Sequence, residues 1–328
     1  MEENWDYLII LDACRYDYFL SMYENYFSGK LCKGISLGSY TPDWCMKSFT
    51  KYYPDVIYIS GNPHINSKIE LAGFDAKKHF YKIVDVWEFG WSEELGVVPP
   101  EKISEIVLSL VPKFHEKRFI IHYLQPHEPY ITNEFQGKGF PKPDPRHERL
   151  LCGLQGNLVD RNFERLLALL NTLLMRTTLI KNPYKIRETL NLPPSCPLDA
   201  IRRKYGIGGL REAYKENLRT VLKNVAELCN ELLFQDPSRS IAITSDHGEL
   251  LGENGAFGHW VAQTNPIMRR NSILVEVPWF RVKTVKGTYH GSIDRSSQPV
   301  NKLAKLMVLN EKAKLKDRIE KLKSSGRV

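Results

Sequence analysis

The sequence predicts an α/β fold in which a mostly parallel central sheet carries helices on both faces. Short apolar, β-branched runs alternate along the chain with longer segments whose apolar residues lie three or four positions apart. Several of the short runs are apolar throughout, as in strands that are buried on both sides of a parallel sheet. The 328 residues are enough for such a core, and 42% hydrophobic and 26% charged residues are typical of a globular protein.

The predicted elements follow one another along the chain. The apolar runs predict five strands, at Tyr7–Leu11, Val56–Ser60, Arg118–Leu124, Ser240–Thr244 and Ile273–Val277. The 3/4 spacing of apolar residues predicts helices at Glu101–Phe114 and Leu210–Phe234. Another helix is expected to begin at Thr41, which precedes Pro42 in the order of an N-cap and a first helical residue.

Two segments are expected to lie outside the sheet. Residues 1–300 are predicted to form one domain with a helical, cap-like insertion at about 136–209, which includes a helix near Asn157–Met175. Residues 301–328 are predicted to be a basic helical tail, with nine Lys or Arg against three Asp or Glu, so that +6 of the net charge of +8 lies there. The rest of the chain is nearly neutral, which argues against a nucleic-acid partner.

The sequence also bears on the compartment. No segment reaches the roughly 18 to 20 apolar residues that span a bilayer, and the acidic start Met1–Asn4 is unlike a signal peptide. The six cysteines show no CxxC pair and no zinc-ribbon spacing, so free thiols are expected. These features predict a cytoplasmic protein without a transmembrane segment.

Polar residues follow three predicted strands, at the edge where open α/β sheets bind ligands. Asp12 follows the first strand and suits either a metal ligand or a helix N-cap. Asp246 and His247 follow the fourth strand, and His259 returns twelve residues later. An adjacent Asp and His can bind one cation, and this mixed oxygen and nitrogen set suits zinc, manganese or iron better than calcium. His127 lies between two prolines, where it serves either the site or a structural turn.

Together these motifs resemble the sulfatase-type branch of the alkaline phosphatase superfamily. The resemblance lies in Ser245–Glu253 with the following Gly258–His259, in Pro126–Tyr130, which is similar to the PHxPY motif, and in the strand that ends in Asp12. It covers roughly residues 5–280. It implies this family's α/β fold and a metal-dependent hydrolase or transferase that acts on phosphate esters through a covalent threonine intermediate.

The resemblance also implies roles for individual residues. Asp12, Asp246 and His247 would bind a divalent metal, zinc or manganese, with Thr41 as a further ligand and as the nucleophile. The other two histidines, His127 and His259, would bind the transferring group or complete a second metal site, so one or two ions are expected.

The nucleophile departs from that of the sulfatases. They use a formylglycine made from Cys or Ser in a CxPxR or SxPxR context, and this chain has no such motif. Phosphoryl-handling members instead use a Thr or Ser at a helix N-terminus, where the helix dipole and the metal favour an alkoxide. Thr41 fits this pattern and Ser39 is the second candidate, although a threonine there also serves as a simple helix cap.

Two further residues and two other functions stay open at this point. Arg15 would hold an anionic substrate or merely pair with Asp17, and Asn62 would point into the site or serve as a turn residue. The other functions are a sulfuric ester hydrolase without formylglycine and an inactive binding protein that kept the fold. The expected substrate is a small-molecule or glycan phosphate or sulfate ester.

Overall fold

A seven-stranded sheet forms the centre of the molecule. The computed structural model of the chain describes residues 3–132, 134–137, 139–144, 170, 182 and 184–287. The strands are β1 (Tyr7–Leu11), β2 (Phe27–Ile35), β3 (Tyr53–Ser60), β4 (Phe80–Asp85), β5 (Arg118–Tyr123), β6 (Ile241–Thr244) and β7 (Glu276–Val285). Their order in the sheet is β2-β7-β6-β1-β5-β3-β4. The five strands from β6 to β4 are parallel, whereas β7 and β2 pair antiparallel at one edge. The predicted α/β class is confirmed.

The helices connect the strands and cover the sheet. The α-helices are α1 (Tyr16–Met22), α2 (Thr41–Ser48), α3 (Val86–Phe89), α4 (Pro100–Leu110), α5 (Lys185–Thr189), α6 (Pro197–Gln235), α7 (Val261–Thr264) and α8 (Ser272–Val275). The 3₁₀ turns are Tyr23–Asn25, Ala76–Lys78, Val111–Lys113, Glu253–Gly255 and Met268–Arg270. Across the part of the chain that the structure describes, no helix combines the length and the apolar character that crossing a membrane requires.

Successive strand residues point to opposite faces of the sheet, and both faces are apolar. On one face Ile9 and Ile121 pack with residues of α1, α4 and α6. On the other face Ile10 and Ile120 pack with Trp44 and its neighbours in α2. Because the central strands are buried on both sides, polar chemistry is confined to the loops that follow their carboxyl ends.

One predicted strand is wrong, and two of the observed strands, β2 and β4, were not predicted from the sequence. The segment predicted as a strand at Ile273–Val277 begins as α8, because Asn271 caps this short helix by accepting the Ile273 N–H, and β7 starts at Glu276. Strand β2 is a largely exposed edge strand rich in Lys and Gly, so it has no continuous apolar run. β4 is only partly buried and likewise lacks one.

Three further predictions concern the cysteines, the helix in the insertion and the C-terminal tail. The five cysteines that lie within these residues are free, as expected. The helix predicted near Asn157–Met175 lies outside the described residues except for residue 170, and the tail over 301–328 lies outside them entirely.

Candidate active site

The polar residues singled out in the sequence converge because of the order of the strands. β1 is central, with β5 and β6 on either side. Ile10 of β1 is in register with Thr244 of β6, so the two strands end at the same level. Asp12 therefore lies beside the residues that follow β6.

The first cluster consists of Asp12, Asp246 and His247. Their ligand atoms all lie within 4.8 Å of one another, and the three side chains are buried. His247 Nε2 is 3.4 Å from Asp246 Oδ2 and 3.8 Å from Asp12 Oδ1. His247 Nδ1 lies 2.8 Å from the Gly248 carbonyl oxygen. Donation of Nδ1–H to that oxygen leaves Nε2 as an acceptor that can bind an ion.

The electrostatics of the first cluster fit a bound cation. Asp12 Oδ1 is buried and has no hydrogen-bond partner among the residues that the structure describes. Burial, and then the charge of Asp246, raise the pKa of the Asp12 carboxyl to about 7. Burial acts in the same direction on Asp246, but its pKa is lowered because the His247 imidazole, and hydrogen bonds from the Ala13 N–H and the Thr41 hydroxyl, stabilise the ionised form. A divalent ion would satisfy the orphaned oxygen and offset the repulsion between two buried carboxylates.

The hydroxyl of Thr41 faces the first cluster. Thr41 Oγ1 donates to Asp246 Oδ2 at 2.8 Å and lies 3.3 Å from His247 Nε2. The expectation that Thr41 is the N-cap is wrong, because the extended residue Tyr40 is the N-cap and Thr41 is the first residue of α2. Pro42 follows within the first turn, where a missing N–H costs the helix no hydrogen bond. The hydroxyl is thus directed at the buried carboxylate of a neighbouring loop.

The second cluster consists of His127, Glu249 and His259, whose ligand atoms also lie within 4.8 Å of one another. His259 Nδ1 is 3.2 and 3.3 Å from the two Glu249 carboxylate oxygens. Burial raises the pKa of Glu249 to about 7 and lowers that of His259 to about 4. The rings of His247 and His259 are 4.4 Å apart between centroids, so the two clusters adjoin.

Several side chains of the site were not singled out in the sequence. Glu249 lies two residues after His247 in the same motif. Its position in that motif is the sequence signal that could have identified it. His122 is buried within β5, with Nε2 3.4 Å from Asp12 Oδ2 and Nδ1 2.8 Å from the Tyr58 hydroxyl. Burial lowers the pKa of His122 to about 4, which keeps it neutral at pH 7. The sequence signal for His122 is that it is a polar residue within an otherwise apolar strand.

Asn62, the residue predicted after β3, reaches the first cluster. Its Nδ2 donates a short hydrogen bond to Asp12 Oδ2, and its Oδ1 accepts the His64 N–H at 2.8 Å. Asn62 thus combines the two roles that its sequence context left open, since it orients a first-cluster carboxylate and also fixes its own turn.

Arg15 and Ser39 do not face the cleft above the two clusters. The Arg15 guanidinium pairs with Asp17 and with Glu253, both at 2.7 Å, and donates to the Glu249 carbonyl oxygen. Arg15 therefore ties the loop after β1 to the loop after β6, and it does not line the cleft above the clusters. Ser39 is fully buried, and within the described part of the chain its hydroxyl has no hydrogen-bond partner and does not line the cleft either.

A cleft opens over both clusters, with an empty volume of about 760 Å³ that includes its open mouth. Its lining contains Asp12, Thr41, His127 and His259. Most of the remaining lining is aromatic or proline, namely Tyr40, Pro42, Pro63, Trp91, Phe140, Pro141, Pro143 and Trp260. The arrangement places an apolar, partly aromatic surface beside the polar clusters.

No protein-family model and no curated protein matches the sequence. Among solved structures it is similar to the integral membrane protein lipooligosaccharide phosphoethanolamine transferase A from Neisseria meningitidis, with a TM-score of 0.45 and 13% identity. That match covers 85% of this chain and 47% of the transferase, so this chain spans about half of the transferase's length. A match to the soluble domain of the same transferase covers 75% of that domain.

Two further solved structures are similar at the same level. The C-terminal periplasmic domain of a phosphoethanolamine transferase from Campylobacter jejuni has a TM-score of 0.44 and 15% identity, over 84% of this chain and 77% of that one. A phosphonate monoester hydrolase from Silicibacter pomeroyi has a TM-score of 0.43 and 13% identity, over 86% of this chain and 68% of that one. At TM-scores below 0.5 these similarities support no statement about activity, which has to be inferred from the residues of the site.

Proposed function

We propose that the protein is a metal-dependent hydrolase or transferase of the alkaline phosphatase type, which acts on phosphate esters with Thr41 as its nucleophile. The observation that supports this proposal is the hydrogen bond from Thr41 Oγ1 to Asp246 Oδ2 at the base of an open cleft. A threonine that only stabilises a helix would bond to the backbone of that helix. Here the hydroxyl instead contacts a buried acid, Asp246, and the imidazole of His247, which are the groups that activate a nucleophile.

A divalent ion fits the first cluster. Asp12, Asp246 and His247 would hold it together with Thr41, and the mixed oxygen and nitrogen donors suit zinc or manganese. When bound, such an ion lowers the pKa of a coordinated hydroxyl and neutralises negative charge on a phosphate group.

The protein's own groups account for the first step. Thr41 Oγ1 attacks phosphorus and loses its proton to Asp246 Oδ2, so that a bond from Thr41 to phosphorus forms as the bond to the leaving alcohol breaks, and the leaving oxygen takes up a proton from the solvent. Asp246 Oδ2 accepts the hydrogen bond of the Thr41 hydroxyl and holds its oxygen in place. Thr41 also lies at the start of α2, whose positive end favours the negative charge that develops there.

The histidines of the second cluster are suited to bind the transferring group and to serve the second step. His127 Nδ1 lies 2.6 Å from the Glu128 carbonyl oxygen, and His259 Nδ1 lies against the Glu249 carboxylate. Each ring is therefore oriented through Nδ1, which leaves Nε2 for the substrate or for a proton. A water molecule or an acceptor hydroxyl that loses its proton to His127 Nε2 would attack phosphorus, and the bond from phosphorus to Thr41 Oγ1 would break as that oxygen takes its proton back from Asp246. Water makes the enzyme a hydrolase, and an acceptor alcohol makes it a transferase.

Turnover of simple esters tests this proposal. Protein reconstituted with zinc or manganese is assayed with 4-nitrophenyl phosphate, bis(4-nitrophenyl) phosphate and 4-nitrophenyl sulfate. We expect phosphoester turnover that Thr41→Ala lowers by about 10³-fold or more. Thr220→Ala is the matched control, because that hydroxyl bonds to a carbonyl oxygen of its own helix. Turnover of the sulfate alone would favour a sulfuric ester hydrolase, and a metal-loaded but inert wild type would favour a binding protein.

A further inference from the structure

Helix α6 contacts all three loops that carry the residues of the two clusters. It runs from Pro197 to Gln235 and has a non-helical residue at Gly206. Its later residues, such as Leu218 and Val221, pack in the apolar core on one face of the sheet. Just before them, Arg211, Tyr214 and Asn217 follow one another at intervals of three residues and so lie along one side of the helix. We call these three residues the loop clamp.

Asn217 holds the loop after β5, which carries His127. Its Nδ2 lies 3.3, 3.1 and 3.0 Å from the carbonyl oxygens of Pro126, His127 and Pro129, and its Oδ1 accepts the Ile131 N–H at 3.0 Å. The side chain is fully buried. All of its partners thus lie in one loop, on both sides of the histidine.

Tyr214 holds the turn after β1, next to Asp12. Its hydroxyl donates to the Ala13 carbonyl oxygen at 2.7 Å and accepts the Arg15 N–H at 2.9 Å. Ala13 has a φ of 57°, in the left-handed region that non-glycine residues rarely adopt. The Ala13 N–H in turn donates to Asp246 Oδ1 at 3.1 Å. Tyr214 therefore stabilises an unfavourable turn that connects two first-cluster residues.

Arg211 holds the loop after β6. Its Nε donates to the Leu251 carbonyl oxygen at 3.1 Å, and Nη2 lies 3.3 Å from Glu253 Oε1. Leu251 is two residues beyond Glu249 of the second cluster. Each member of the clamp is thus bonded to a different loop of the site.

We propose that the loop clamp is a positioning device, which sets the distance between the two clusters so that both act on one substrate. This role rests on the proposed function. The hydrogen bonds by which the clamp holds the three loops do not depend on that function. Removing a buried side-chain amide leaves several carbonyl groups and one N–H without partners, so the loop has to move or open. A misplacement of about 1 Å costs about 10²-fold in rate when catalytic groups must be aligned.

The comparison of Asn217→Ala with Asn224→Ala tests the clamp. Asn224 is also buried in α6, two turns further on, but its Oδ1 accepts a hydrogen bond from Ser104 of α4. The measurements are amide hydrogen exchange over residues 124–132, zinc affinity of the apoprotein by equilibrium dialysis, and kcat and KM for the better nitrophenyl phosphate ester. For Asn217→Ala we expect faster exchange at the Ile131 amide and a kcat lower by about 10- to 100-fold, as for groups that orient metal or substrate ligands.

Zinc affinity separates positioning from general destabilisation. Zinc binding at the first cluster should fall much less than kcat does in Asn217→Ala, because Asn217 holds the His127 loop, and the His127 N–H of that loop bonds to the backbone carbonyl oxygen of Asp12 and not to its carboxylate. Asn224→Ala should keep the loop exchange and the kcat of wild type. Tyr214→Phe should instead weaken zinc binding, with Tyr123→Phe as its control, since the Tyr123 hydroxyl bonds to Ser104.

Two results would overturn the clamp. One is exchange in the 124–132 loop that is unchanged in Asn217→Ala, and the other is a kcat that falls equally in Asn217→Ala and Asn224→Ala. If Asn217→Ala does not fold, Asn217→Asp keeps the acceptor for the Ile131 N–H and removes the donors. A wild type without phosphoester turnover contradicts the proposed function, while the exchange measurement still decides whether Asn217 holds the loop.

Discussion

The two clusters of the candidate active site are positioned in different ways. Asp12 is the residue directly after β1, and Asp246 and His247 are the second and third residues after β6, so the register of these two parallel strands fixes them. His127 and His259 lie farther along their loops and take their places through side-chain contacts. The first cluster is thus placed mainly by the sheet, with Tyr214 of the loop clamp supporting the turn beside Asp12, whereas the second depends on Glu249 and on Asn217 and Arg211 of the clamp.

Removing a charge from the first cluster should have the largest effect. Asp246→Asn keeps the shape of the side chain but removes the carboxylate that faces Thr41 and His247. We expect loss of zinc or manganese from the protein and a drop in turnover of about 10³-fold or more. Metal content and phosphoester kinetics measure both.

The control for that variant is another acid at a strand end. Asp85 is the buried last residue of β4, and it accepts a hydrogen bond from Ser67 instead of joining a cluster. Asp85→Asn should retain metal and activity. Equal losses in Asp85→Asn and Asp246→Asn would mean that metal binding reflects general stability and not the first cluster.

A change in the second cluster should have a smaller effect, of a different kind. His259→Gln removes the ring that Glu249 orients, so we expect turnover to fall by about 10- to 100-fold. The affinity of the first cluster for zinc should change little. The exposed His115 provides the matched control, His115→Gln. Complete loss of zinc in His259→Gln would contradict the distinction between the two clusters, because they would then form one metal-binding unit.

Gly248 connects the two clusters, and its substitution should affect both. It lies between His247 and Glu249, and a Cβ there would stand 1.9 Å from the Ile273 carbonyl oxygen. We expect Gly248→Ala to lower the free energy of unfolding by about 1 to 3 kcal/mol, because backbone has to move. Thermal unfolding with and without zinc measures this.

Gly208→Ala is the control for that substitution. Gly208 lies within α6, where a Cβ would meet no atom of the described residues within 4 Å. It should raise the free energy of unfolding by about 0.5 to 1 kcal/mol, since alanine is the better helix former. A Gly248→Ala protein as stable as wild type would show that this segment adapts without cost.

The sequence indicates the first cluster far better than its surroundings. Buried parallel strands are apolar throughout, so β1 and β5 stand out, and a polar residue at the end of such a strand is a clear signal. The edge strand β2 has no such pattern, because it is largely exposed. Asn217 gives no signal either, since its contacts join residues about 90 positions apart. Arg15 lies three residues after Asp12, yet Asp17 and Glu253 bind its guanidinium.

Trapping the covalent intermediate tests the central claim most directly. The metal-loaded wild type is mixed with excess phosphate ester, quenched in acid within the first turnovers, digested and analysed by mass spectrometry. We expect a phosphoryl group on Thr41, absent from Thr41→Ala and present in Thr220→Ala. Steady phosphoester turnover with no modified Thr41 peptide, or turnover that survives in Thr41→Ala, would contradict the assignment of Thr41 as the nucleophile.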